Sequence, residues 1–322
     1  MDVSTTPSSP GRFTSESIET MAITLRQLRV FVTIVHEGSL TAAAQALHLT
    51  KPAVSAALAE LEKRYGHRLF DRHHNRLFIN DLGRQLLPLA DELLGRAATV
   101  EQLFDRHTQL SGKLRIGASY TIGHQLLPSL LQGFRRLTGH TDQQVTIVNS
   151  ATIGEALNAF ELDIGMVEGR IDHAPLMART WRHDRMLVAA APEHPLVGRV
   201  ATVADLEHQQ WVLREPGSGT REQFMHFLAA RLEHWQTALE LNATEAIINA
   251  TAAGMGLTCV SELEARHALA DGRLRELEID LAMPRQFHLI THRDKYISPL
   301  LARFIDFCHH PDGDTSRPHA PA

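Results

Sequence analysis

Apolar residues at Leu25, Leu28, Phe31, Val32 and Val35 recur at the three- and four-residue spacing of one buried helical face, and Gly38 ends the run. Ser39 can then cap a short helix with Leu40, Ala43, Ala44 and Leu47 on one side. Thr50 can cap a third, in which Val54, Leu58, Leu61 and Tyr65 face inward while Lys51, Ser55, Ala59 and Glu62 face out. Pro52 suits that helix because the first turn has no partner for the N–H that proline lacks. Past Gly66, the apolar pieces Leu69-Phe70 and Leu77-Phe78-Ile79 flank Asp71-Arg72-His73-His74-Asn75-Arg76, the pattern of a hairpin with a cationic tip. Residues 23–80 therefore predict a winged helix-turn-helix.

From 81 to 110 the pattern is one long helix. Leu86, Ala90, Leu93, Ala97, Val100 and Phe104 alternate four and three residues apart, the stripe of a helix that either pairs with a copy of itself or packs on its own body. Pro88 removes the bond to Arg84 and predicts a kink. Beyond Ser111-Gly112, short strands and helices alternate: LRIGA, helix 122–137, VTIVN, helix 152–160, DIGMV. A second series has strands at Arg185–Ala191 and Trp211–Arg214, a helix from Thr220 to about Trp235, a short strand near Leu239, helix 244–253 and Leu257–Val260. The chain returns through Phe287–His292 to a final helix, Ser298–His309. This order predicts an α/β region with a parallel sheet. Residues 1–22 and 310–322 show no hydrophobic period and read as a disordered leader and tail, with Met21 an alternative start.

Composition narrows the class. The 322 residues, 43% hydrophobic and 21% charged, suit two or three domains with sizeable cores. Two cysteines, Cys259 and Cys308, cannot form a disulfide framework or a zinc knuckle and fit a reducing cytoplasm. The longest uncharged stretch, Ile116–Phe134, contains His124, Gln125, Pro128 and Gln132, so no membrane span is expected. The net charge of −5 conceals a basic end: nine Lys/Arg against five Asp/Glu lie between Ile23 and Arg84. A basic block on an acidic body points one end at a polyanion. The 20 histidines either strengthen attraction to a polyanion as pH falls or are surface residues scattered without such a role.

The run LRQLRVFVTIVHEGSLTAAAQALHLTKPAVSAALAELEKRYGHRLFDR resembles, in order and spacing, the DNA-binding domain of LysR-type transcriptional regulators. It does so through the Phe31 helix, Ala42-Ala43-Ala44, the Pro52-Ala53-Val54-Ser55 helix start and the Leu69-Phe70-Asp71-Arg72 wing. The α/β region is similar to the effector-binding domain of the same family, with lobe one at 113–189 and 284–309 and lobe two at 190–283.

The resemblance implies sequence-specific binding to double-stranded DNA by a homodimer or tetramer, modulated by a small effector, with RNA polymerase as a further partner. In such a head the recognition helix meets base edges and flanking cations meet phosphates. That assigns Lys51 to a phosphate or guanine edge, Pro52 to a thymine methyl, Ser55 to a base or phosphate oxygen or to a bond back into its own helix, Arg72 to a phosphate by the wing, and His73 and Arg76 to phosphates or to plain solvent exposure. Ala56 and Ala57 stand where many members carry Arg or Gln, thinning direct readout.

Ligands of parallel sheets bind beyond strand carboxyl ends, at helix N-termini. Three such ends carry hydroxyls and glycines: Ser119 with Thr121, Asn149 with Ser150, and Ser218, Gly219 and Thr220. Each alone also suits ordinary helix capping; together they favour a small anion. Arg221 is a candidate counter-charge. No catalytic or metal site is expected, and no cofactor beyond the effector. Pro216-Gly217-Ser218-Gly219 lacks the first glycine of a nucleophile elbow, GSGTRE lacks the end of a P-loop, and no HExxH occurs. An enzyme fused to a DNA-binding head and a non-specific nucleoid protein are the alternatives.

Overall fold

The structure, a computed structural model, describes residues 23–73, 76–104, 110, 112–169 and 174–311. The leader 1–22, most of the tail and the hairpin tip His74-Asn75 lie outside the described residues. Two compact units divide the chain, one ending at Leu94 and one beginning at Gly95.

The first unit opens with α1 (Leu25–Glu37), started by a reciprocal Thr24–Gln27 capping box and stopped by Gly38 at φ 66°. In α2 (Leu40–Ala46) the Ser39 hydroxyl accepts from Ala42 N–H at 3.1 Å. In α3 (Lys51–Tyr65) the Thr50 hydroxyl accepts from Ala53 N–H at 3.3 Å, with Pro52 in the first turn. Strands β1 (Phe70–His73) and β2 (Arg76–Ile79) form the antiparallel hairpin. Leu28, Phe31, Ile34, Val54, Leu58 and Leu61 are buried, and Phe31 meets Phe70 with ring centroids 5.7 Å apart.

Three expectations fail here. Leu25, the first residue of α1, is 48% exposed, because among the described residues no element of the unit packs over the start of that helix's first turn. Tyr65 is 50% exposed, because it stands in the last turn of α3, immediately before Gly66 turns the chain away in the left-handed region. Glu62 does not face water freely: its carboxylate accepts from Leu69 N–H at 2.8 Å and fixes the entry to the hairpin.

Helix α4 (Asp81–Phe104) continues through Pro88. Asn80 sets its start, accepting from Gly83 N–H at 2.9 Å and donating to Arg68 O at 2.8 Å. The outward stripe is not the one expected. Ala90 is fully buried beside Leu87, whereas Leu82, Leu89, Leu93 and Val100 are exposed and Leu89 reaches 58%. The stripe thus keeps Leu86, Leu93 and Val100 but turns onto Leu82 and Leu89. Ala97 is half-buried, and the side chain of Phe104 lies outside the described part.

In the second unit, β3 (Leu114–Ala118) leads to α5 (Tyr120–Gln125) and α6 (Leu127–Thr138). The single helix expected over 122–137 breaks at Leu126, where Pro128 cannot donate back to the preceding turn. Then follow β4 (Gln143–Ile147), α7 (Ser150–Asn158), β5 (Ile164–Glu168) and the 15-residue β6 (Leu176–Ala190). Lobe two contains β7 (Val200–Ala201), β8 (Gln210–Arg214), α8 (Gly219–Phe227), β9 (Gln236–Leu241), α9 (Thr244–Ala252), β10 (Thr258–Ser261) and α10 (Glu262–Ala270). Strands β11 (Arg275–Glu276), β12 (Glu278–Ile279) and β13 (Pro284–His292) lead back to α11 (Pro299–His309) in lobe one.

Helix α8 stops eight residues short of Trp235, since Leu228 and Leu232 both turn into the lobe-two core around Trp211 and Phe224. Helix α10 gave no sequence signal because its buried positions include the small residues Ala265 and Ala268. The sheet is mixed rather than parallel: its order is β10-β6-β13-β5-β3-β4, with β3 parallel to β4 and β5 but β13 antiparallel to β5 and β6. Strands β6 and β13 join the lobes. Met186 and Val188 of β6 pack with Trp211 in lobe two, while Phe287 and Leu289 of β13 pack with Phe134 and Phe304 in lobe one.

Candidate functional site: a DNA-reading helix and a buried polar cleft

At the start of α3, Lys51 and Pro52 are exposed and Ser55 is half-buried, flanking the buried stripe of Val54 and Leu58. A cation at the first helical position beside small side chains lets a helix end approach a groove closely. Arg72 and His73 end β1 and Arg76 begins β2, with His73 paired to Arg76 across the hairpin; their side chains lie outside the described part.

Four of the seven residues expected to bind an effector, Thr121, Ser150, Gly219 and Thr220, meet at a carboxylate the sequence reading passed over. Glu168, the last residue of β5, is 2% exposed. The Thr220 hydroxyl donates to its Oε1 at 3.4 Å, Thr121 Oγ1 lies 3.4 Å from the same oxygen, and Ser150 Oγ reaches its carbonyl oxygen at 3.5 Å. Gly219 must be glycine: a Cβ there would stand 2.5 Å from Glu168 O and 2.6 Å from its Cγ. Ser119 and Ser218 precede α5 and α8 as buried N-caps without side-chain capping bonds, so at these two ends the capping alternative fails. At α7 it holds, for Asn149 Oδ1 accepts from Thr152 N–H at 3.0 Å.

Further unforeseen charges complete the cluster. Arg285, whose side chain is fully buried, pairs with Asp184, lies 3.8 Å from Glu168 Oε1 and donates to Thr220 Oγ1 at 3.2 Å. Glu264 accepts from Thr121 Oγ1 at 2.9 Å. Burial pushes its carboxyl above the ordinary range, against the opposing pull of the Thr121 hydroxyl and Arg285. Glu222 is also raised, by burial and then by the charge of Glu168. The available signal was a lone carboxylate ending the apolar strand IGMV.

The lobes touch directly. Ala151 N–H donates to Gly217 O at 3.1 Å, Asn149 Nδ2 to Glu215 Oε1 at 3.2 Å, and the Arg214 guanidinium lies 4.5 Å from the Tyr120 ring centroid. Arg221 points away, binding Arg214 O and Glu240 at 2.6 and 2.8 Å. Two buried atoms in the cleft have no hydrogen-bond partner among the described residues: Ser119 Oγ and Glu168 Oε2. Buried polar atoms are otherwise nearly always satisfied, so this pair marks a place for something else. Among the described residues no group of three or more His, Cys, Asp or Glu could hold a metal, and no helix is long and apolar enough to cross a membrane.

A winged helix-turn-helix head joined to two α/β lobes that close on a polar cleft defines a ligand-sensing DNA-binding regulator. Residues 25–84 match the model of the bacterial regulatory helix-turn-helix protein, lysR family, and residues 107–311 match that of the LysR substrate binding domain. The chain belongs to the LysR family of DNA-binding transcriptional regulators with a small-molecule effector domain. It is 39% identical over 289 residues to the HTH-type transcriptional regulator YeiE of Escherichia coli K12, covering 89% of this chain and 98% of that one. Among solved structures, a full-length OxyR variant from Pseudomonas aeruginosa is similar with a TM-score of 0.73 at 21% identity, over 93% of this chain and 99% of that one. The Synechocystis CcmR regulatory domain in complex with 2-PG has a TM-score of 0.57 at 24% identity, over 64% and 99%.

Proposed function

We propose that this regulator acts in the cytoplasm as a homodimer, assembling further to a tetramer, and that a small oxyanion carrying a proton is its effector. The observation that carries the effector reading is the partnerless pair Ser119 Oγ and Glu168 Oε2 inside the cleft. Hydroxyls and the N-termini of α7 and α8 favour negative charge. An ionised Glu168 can only accept hydrogen bonds, so it admits an oxyanion that still bears an O–H and repels one that is fully ionised. The solved CcmR domain with 2-PG supports a small molecule in a domain of this fold. Thr121 and Thr220 now bond to Glu264 and Glu168 and must be released as the ligand enters, which couples binding to lobe movement.

The exposed stripe Leu82, Leu89, Leu93 and Val100, with Leu86 along it, pairs two subunits. Two joined recognition helices then read a two-fold site that one helix would hold weakly. RNA polymerase is the further partner on DNA. Relatives named as transcriptional regulators support a role in regulation rather than in turnover.

The test is thermal unfolding of the full chain with sulfite, sulfate, phosphate and small carboxylates, at pH 6 and pH 8. Ligand at about 100 times its Kd stabilises by roughly 2.7 kcal/mol, a rise of a few degrees. The shift is expected for protonated monoanions, and Glu168→Gln should extend it to fully ionised species. A flat panel, or a shift unchanged by Ser119→Ala with Thr220→Val, overturns the reading.

A further inference from the structure

We propose that lobe one carries a second ligand site, separate from the cleft, for a small amphipathic carboxylate. The site is a cavity of about 690 Å³ between β6, the last residues of β13 and the flank of α11. That volume lies within the range of small-molecule sites, roughly 300–1,000 Å³.

Topology creates it. Strand β10 pairs only with Met186–Ala189 of β6, so Leu176–Arg182 pairs with β13 alone among the described residues. Helix α11 covers Phe287 and Leu289 through Phe304 and Phe307 but leaves the outer part of that face open. Cross-strand register then sets Met177 beside Thr291 and Arg179 beside Leu289 at the uncovered edge. The walls carry apolar surface from Leu289, Ile305 and the exposed Met177 and Ile297, with threonine and histidine side chains set among them.

The charges around these walls have one sign left over. Lys295 is held by Asp163 at 2.8 Å, Arg293 by Asp294 at 3.8 Å, and the one lining acid, Asp306, by Arg303 at 2.8 Å. Exposed Arg179 has no hydrogen bond or ion pair among the described residues. An apolar trough with a free guanidinium at its edge selects a ligand with an apolar body and one carboxylate, held bidentately. The cavity shares β13 with the cleft, Leu289 and Thr291 lining one and Arg285 the other.

The experiment is calorimetric titration of the full chain with heptanoate, and with heptanol as the uncharged probe of the same length. Saturable heptanoate binding is expected, weakened about tenfold for heptanol and about tenfold by Arg179→Gln, as one charge-assisted contact is lost. Ser119→Ala with Thr220→Val should leave it unchanged, and the unliganded melting temperature of Arg179→Gln should equal that of the parent chain. No saturable binding overturns the proposal, as does binding abolished by the cleft variant and kept by Arg179→Gln. Equal affinity for heptanol, or loss of heptanoate binding only through altered sedimentation of the chain, also overturns it, since the face would then be an apolar patch or a contact between copies.

Discussion

The head and the cleft are both polar sites, yet they display their chemistry oppositely. Lys51 and Pro52 stand on the surface of the helix-turn-helix, whereas Ser119, Thr121, Ser150, Ser218 and Thr220 are each at most 4% exposed. A helix that reads DNA meets a large polyanion that comes to it, and its cations cost little to keep in water. A cleft that discriminates small anions must enclose them, and the charges it buries must be paired within it. Changes to the paired charges of the cleft should therefore cost stability first, and changes to the exposed start of the reading helix should cost DNA affinity alone.

The sharpest break in that contrast is Arg285→Ala. It strands Asp184 and Glu168 in the interior, where removing one partner of a buried pair costs about 3–5 kcal/mol. Urea denaturation checks this, and a loss under about 1 kcal/mol would mean the cleft is wet. Lys51→Ala should instead leave the denaturation curve in place, weaken DNA binding, and lower the salt slope of affinity by about one if the ammonium meets a phosphate. An unchanged slope removes that role.

Two serines refine the comparison. Ser39→Ala breaks a capping bond and should cost about 1 kcal/mol. Ser119→Ala removes a hydroxyl that bonds to nothing in the described structure, so it should cost less stability while lowering the affinity for the effector. Equal losses would show that Ser119 is structural.

The smallest effects concern pH. Burial raises Glu264 above its usual 4.5, so the folded state holds its proton more tightly than the unfolded chain; this stabilisation is complete below 4.5 and is lost as pH rises through the raised value. Glu264→Gln should flatten that decline. Asp163 has the reverse sign. Burial pushes it up, but Lys295 and Arg115 together outweigh burial and hold it below 3.8, so its stabilisation is present above 3.8 and is lost as pH falls through the lowered value. Asp163→Asn should flatten the acid limb, as melting temperature against pH would show.

How far the site was legible follows from the same contrast. Ser39 and Thr50 announce helices because a cap acts on the N–H two or three residues along, within reach of a local pattern. The effector loops were legible as hydroxyls and glycines at strand ends, but their central residue was not. Glu168 stands 117 positions from Arg285 in the chain and 3.8 Å from it in space. No periodicity reports such a pairing. The stripe on α4 shows the same limit, since both Leu89 and Ala90 satisfy a heptad on paper and only packing decides that Ala90 turns inward.

The sequence by itself determined the helix-turn-helix, the exposed cationic start of its third helix, the long linking helix and the three hydroxyl-bearing loops, because caps, periods and turns act between neighbours. Tertiary structure alone decided that β13 and β10 both run antiparallel to β6, that the stripe on α4 rotates onto Leu82 and Leu89, and that Glu168, Asp184, Glu264 and Arg285 share one buried cleft. Those outcomes depend on which surfaces are left to cover once each element has formed, and on the cost of burying charge, and both are set only when distant segments meet.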